Sequence, residues 1–208
     1  MNDYDNDYDI ASIEQHVLAV LSSDRFLRME RLGNEVPFFI WPYPPGQELE
    51  VQAANNRIID RLRTTQGLNI LVVDLFELAV ELLGGRGGNM LERLEQIEPT
   101  RSRSDFRRDL QRMLDPEQHI APAIKRRIEA EAGVDLLILT GIGRVFPFIR
   151  SHNVLNNLQV AVSDFPVLML FPGEYPQTAS SGSSLVLFNL LTDDQYYRAK
   201  NILEQEPA

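Results

Sequence analysis

The sequence predicts an α/β protein: a mainly parallel, three-layer sheet of about five strands with helices on both faces. Three observations carry this. The apolar runs "FFIW", "LNILVVDL", "VDLLILT", "PVLMLF" and "LVLFNLL" lack the polar alternation of a half-solvated strand, so both faces of each should be covered. Stretches with helical spacing separate most of these runs. A length of 208 residues, with 44% hydrophobic and 24% charged side chains, suits one domain of ordinary soluble composition.

The elements follow in order. Residues 1–9 ("MNDYDNDYD") are expected to form a disordered acidic tail, and residues 10–208 a single α/β domain. Asp9 suits the cap of a helix starting at Ile10, with Ile13, Val17, Leu18, Val20 and Leu21 as its apolar stripe. Residues 38–41 read as the first strand, ended by Pro42, Pro44 and Pro45. Leu49, Ala53, Ile58 and Leu62 give the next segment helical spacing, and Gly67 sits where a cap glycine belongs. "LNILVVDL" is the second strand, and "LFELAVELL" is a helix stopped by "GGRGG". A helical insertion over about residues 89–133 breaks near Pro99 and at Asp115-Pro116. Residues 134–140 and 166–171 are strands three and four, "PGEYPQTASSGSS" is a plain loop, and "LVLFNLL" is a fifth strand. The last two strands have the alternative of an antiparallel hairpin at the sheet edge. A final helix is expected from about Asp193.

Charge and composition narrow the function. Twenty basic against thirty acidic side chains give a net charge of −10, which repels phosphate backbones and anionic lipid. Without cysteine there are no disulfides, thiolate metal sites or cysteine nucleophiles, which fits a reducing compartment. The N-terminus lacks the layout of a secretory signal, and no apolar run approaches a membrane span, so the expected location is the cytoplasm. "DNDYD" lacks the glycine and the distal glutamate of a calcium loop.

Such sheets bind ligands beyond the C-terminal ends of their strands. After the first strand a nucleotide enzyme would carry a glycine-rich phosphate loop. Here "WPYPPGQELE" offers neither GxxxxGK[ST] nor GxGxxG, so the sheet is P-loop or Rossmann-like without the phosphate loop. "GGRGG" follows a helix rather than a strand. Asp74 and Glu77 of "NILVVDLFE" imitate a magnesium-holding acid pair, but without the phosphate loop they read as acids favoured at a helix start by capping and dipole. His16, His119 and His152 are scattered outside any ligand pattern, and no serine lies in a GxSxG elbow. By elimination the segment 141–158, "GIGRVFPFIRSHNVLNNL", stands out as a docking edge or a capped polar turn. Gly141 and Gly143 permit an unusual turn, and Pro147 suits the first turn of a helix. Arg144, Arg150, His152, Asn153, Asn156 and Asn157 supply donors, with no carboxylate, nucleophile or metal set for catalysis.

"LTGIGRVFPFIRSHNVLNNL", "VLMLFPGEY", "LVLFN" and "DDQYYRAKNIL" together resemble the BrxB family of bacterial BREX phage-defence systems, over about residues 38–203. The matching positions are Gly141, Gly143, Pro147, Arg150, His152, Asn153, Leu155, Leu158, Pro172, Gly173, Tyr196, Tyr197 and Arg198. The resemblance implies a small, cytoplasmic, non-catalytic component of a multi-protein assembly, without cofactor. Its partners would be other BREX proteins, PglZ first among them, with no membrane and no small ligand. Two further readings stay open. One is a degenerate nucleotide- or phosphate-binding enzyme or sensor using Arg144, Arg150 and "GGRGG". The other is a nucleic-acid-binding accessory subunit using "RSRSDFRRDLQR" and "KRR", although Asp105, Asp109 and Asp115 interleave with those arginines.

Overall fold

The computed structural model describes residues 8–30, 37–85, 90–160, 162–178, 182–193 and 199–207. Helices are α1 (Ile10–Leu21), α2 (Asp24–Leu27), α3 (Glu48–Gln66), α4 (Leu75–Gly84), α5 (Met90–Ile97), α6 (Arg103–Met113), α7 (Ala121–Ala130), α8 (Ile142–Val145) and α9 (Ser151–Leu158). Strands are β1 (Phe38–Tyr43), β2 (Ile70–Asp74), β3 (Leu136–Thr140), β4 (Val167–Glu174), β5 (Gln177–Thr178), β6 (Gly182–Ser183), β7 (Leu185–Leu187), β8 (Leu191–Asp193) and β9 (Lys200–Asn201).

The sheet is mixed. Along the order β2-β3-β4-β1-β9 every pairing is parallel. At the end of β4 the chain turns antiparallel: Gly173 pairs with Leu187, and β7 pairs with β8. The sequence expectation of one strand over "LVLFNLL" is corrected here. Phe188 and Asn189 adopt positive φ and fold that run into the tight turn of a β7–β8 hairpin. "PGEY" is likewise not simply loop, because β4 continues through Pro172, Gly173 and Glu174. Beyond it Gln177 and Thr178 pair with Ser183 and Gly182.

Chain order explains the layering. From β1 the chain crosses to β2 at the far edge, then returns through β3 to β4. Right-handed crossovers in opposite directions must use opposite faces. Accordingly α3 packs on one face with α1, burying Val51, Ile58 and Leu62 against Trp41 and Phe39. On the other face α4, α6, α7, α8 and α9 bury Leu78, Leu110, Ile124, Val145 and Leu155 against Phe38, Ile40 and Phe171. Successive residues of β1 thus serve two cores, as the unbroken apolar run requires.

Four local readings change. Pro42 lies inside β1 instead of ending it, opposite Phe171 of β4. β9 pairs only with Phe39 and Ile40, so at Pro42 one flank of β1 carries no paired strand among the described residues, a tolerated place for a residue without a donor. The first half of the α3 stripe is displaced: Leu49 and Ala53 are exposed and Val51 and Ala54 turn inward instead, while Ile58 and Leu62 are buried as expected, with Asn55 and Ile59 beside them. The helix expected from Asp193 is absent from its described C-terminal part, where Lys200 and Asn201 form an edge strand and Ile202–Glu204 a 3-10 turn. Finally, residues 1–7 of the acidic stretch lie outside the described residues, but Tyr8 is built into the core and its hydroxyl accepts from Trp41 Nε1 at 2.7 Å.

Candidate functional edge of the sheet

Asp74 ends β2 and Thr140 ends β3, and the two are register partners. Their side chains meet: Thr140 Oγ1 donates to Asp74 Oδ2 at 3.0 Å. Arg144, one turn into α8, pairs with the same carboxylate oxygen. Asp74 Oδ1 accepts from the backbone amides of Phe76 at 2.9 Å and Glu77 at 3.1 Å, capping α4. The capping reading of Asp74 in the sequence is what forms, with one donor from β3 and one from α8 added. Gly141 adopts a left-handed conformation, φ 75°, and packs against this carboxylate so closely that a Cβ would stand 2.7 Å from Oδ1. Arg144 in turn lies over the Phe76 ring, 5.0 Å from its centroid, a cation–π contact. Replacing Asp74 with alanine removes the cap and strands Arg144 and Thr140. An equilibrium urea titration should register a loss of about 2 kcal/mol; an unchanged midpoint would contradict the arrangement.

The other segment 141–158 residues do not converge. Gly143 needs its missing side chain for packing, since a Cβ would meet Phe188 and Pro172 at 3.0 Å. Pro147 does not open a helix. It follows a cis peptide bond in the turn between α8 and α9, and its carbonyl accepts from Gln111 Nε2 at 2.9 Å. Arg150 is the residue before α9; it is exposed and has no ion-pair partner among the described residues. His152 is 5% exposed and faces the core. Asn157 donates back to the Asn153 carbonyl at 2.7 Å, and Asn156 is exposed. Pro172 accepts from the Phe188 amide at 2.8 Å, and Gly173 sits at the β4–β7 crossing. Tyr196, Tyr197 and Arg198 lie outside the described residues, as does most of "GGRGG".

Two arrangements escaped sequence reading. Tyr43, the last residue of β1, is buried and donates to Glu48 Oε2 at 2.7 Å. Burial first, then the Glu48 carboxylate, pushes its phenol far above the ordinary tyrosine value. A raised folded-state value means stability that is complete below the unfolded value of about 10 and falls as pH rises beyond it, because the unfolded chain releases this proton and the native one keeps it. Unfolding free energy measured from pH 8 to 11.5 should therefore drop above pH ~10 by up to about 1.4 kcal/mol per pH unit, and Tyr43→Phe should flatten that slope.

The second is a cavity of about 240 Å³ between the α8–α9 turn and the β7–β8 hairpin, lined by Ile142, Phe146, Arg150, Phe171, Leu187 and Leu190 among others. Leu190, at the hairpin turn, is 82% exposed. Among the described residues no group of three or more His, Asp or Glu converges as a metal site would require. Nor is any helix among them long and apolar enough to cross a membrane.

Comparison with known proteins adds the following. A family model described as "BREX protein BrxB" matches residues 71–202. A BREX protein BrxB from Bacillus cereus (strain H3081.97) is 34% identical over 193 residues, covering 91% of this chain and 95% of that protein. A BREX protein BrxB from Escherichia coli O9:H4 (strain HS) is 29% identical over 193 residues, covering 93% of this chain and 89% of that protein. No solved structure matches the chain at a significant level.

Proposed function

The chain belongs to the BrxB family of BREX proteins, and from that premise we propose that it serves phage defence as a non-catalytic adaptor, holding other BREX proteins together in the cytoplasm. PglZ is the partner proposed first. The docking surface is the C-terminal edge of the sheet, where segment 141–158 meets the β7–β8 hairpin. Of the family-motif residues, Gly141, Gly143, Pro172 and Gly173 shape that edge, and Arg150 faces outward from it.

One observation carries the reading: Arg150, exposed and without an ion-pair partner among the described residues, lines an apolar cleft whose hairpin wall presents Leu190, 82% exposed. A donor fork beside large apolar side chains is the composition of interface hot spots, not of a solvated turn. The Asp74 carboxylate supports the non-catalytic half. It lies where a nucleotide-binding sheet would present a metal-holding acid, yet Thr140, Arg144 and the start of α4 already engage it. The test is pairwise co-expression of the tagged chain with each other BREX protein. At least one, PglZ first, should co-purify through gel filtration. Migration alone in every pairing would defeat the proposal.

A further inference from the structure

Adjoining that edge through Arg144, Pro147 and Phe148, but apart from Arg150 and the β7–β8 hairpin, α6 and the turn at Pro147 enclose a second concave surface, made of two clefts that share Phe148. The larger, about 330 Å³, has an aromatic lining of Phe106 and Phe148 beside Pro147, and Arg101, Arg103 and Arg107 around it. The smaller, about 150 Å³, continues between α4 and α6 over Val80, Leu83, Leu110 and Leu114.

The ion pairs of α6 leave a specific surplus. Asp109 is taken by Arg101 at 3.4 Å, and Asp105 by Arg108 at 2.8 Å. Arg103 and Arg107 are exposed, four residues apart on one helix face, and have no carboxylate partner among the described residues. Both line the larger cleft, together with Glu98. In a chain of net charge −10 these two free guanidinium groups beside an apolar trough form a local exception.

We propose that this groove receives an acidic, amphipathic segment of a partner protein. Apolar side chains of the segment fill the trough over Phe106, Phe148 and Leu110, and its carboxylates meet the Arg103 and Arg107 forks, which match carboxylate geometry. This goes beyond the docking edge, because it names a different surface and the chemistry of what fits it. Nucleic acid fits less well. The second cleft is walled mostly by aliphatic side chains, with Phe76 and Phe148 its rings, and neither cleft is lined by an amide side chain to pair with an adenine edge.

Fluorescence polarisation of the full chain with a fluorescein-labelled peptide, EDFLEELFDE, tests the proposal. Saturable binding is expected, weakening with added salt. The double reversal Arg103→Glu with Arg107→Glu should weaken it about fivefold or more, the loss of two surface ion pairs. Both side chains are exposed, so the melting temperature should stay put, and a peptide with lysine in place of each acid should regain binding to the reversed chain. Absence of saturable binding overturns the proposal, as does binding that ignores the reversal. A single-stranded oligonucleotide that binds more tightly than the peptide and is lost on the same reversal also overturns it, and gives the groove to nucleic acid. Pairwise co-purification of the reversed chain separates this result from the adaptor reading, which concerns the other surface.

Discussion

Gly173→Ala is expected to cost more than about 3 kcal/mol of folding free energy. Gly173 has φ 151°, a conformation open in practice only to glycine, and an added Cβ would stand 2.0 Å from the Val186 carbonyl oxygen. The contact is with backbone of the neighbouring strand, so no rotamer change relieves it. Either β7 leaves β4 at the Gly173–Leu187 pair, or β4 twists away from its parallel neighbours. For a chain of this size the melting temperature should fall by about 6–12 °C. A shift inside 2 °C would mean that the β4–β7 crossing is not as described.

Trp41→Ala is the other large effect, about 3–5 kcal/mol. Trp41 is fully buried in the core shared by β1, α1 and α3, and its indole N–H donates to Tyr8 Oη. Removing it leaves a cavity and releases the anchor of Tyr8, whose carbonyl also accepts from Gln47 Nε2 at 3.4 Å. Trp41→Phe separates the two contributions, because it keeps most of the ring but no donor. Its expected cost is about 1–2 kcal/mol, read from the same urea titration. Equal losses for both variants would assign the whole effect to the hydrogen bond.

The sequence made the strands of the parallel core legible for a physical reason. "LLILT" and "VLMLF" are buried on both faces and "ILVVD", at the sheet edge, is buried or half-buried throughout, so each reads as an apolar run. Where one residue in a run departs from extended geometry the reading fails. "LVLFNLL" is as apolar as the others, and only the positive φ of Phe188 and Asn189 makes it a hairpin. Phe at positive φ has no propensity signal to announce it. Leu49 shows the converse. An apolar residue near a helix start looks like core by spacing, yet the first turns of α3 bury Val51 and Ala54 in place of Leu49 and Ala53, and only Ile58 and Leu62 keep the expected stripe. At the candidate site, the cap of α4 by Asp74 was readable because it is local. Its contacts with Thr140 and Arg144, 66 and 70 residues away, depend on β2 and β3 being register neighbours, which no local pattern encodes. Arg150 and His152 are close in sequence, but the start of α9 sends one outward and the other inward.

That separation decides the central test. With Arg150 exposed, its replacement has no buried ion pair to break, so any effect must come through what the edge touches. The measurement is a pull-down of tagged Arg150→Glu/Leu190→Asp chain from cells carrying the whole BREX operon, quantified by mass spectrometry, with phage plaquing and melting temperature on the same variant. Folding stability should stay within about 0.5 kcal/mol of the parent, leaving the melting temperature nearly unchanged, with co-purification and phage protection lost together. A variant that melts like the parent and retains every partner, yet no longer protects, would contradict the adaptor reading and place a chemical activity at this edge.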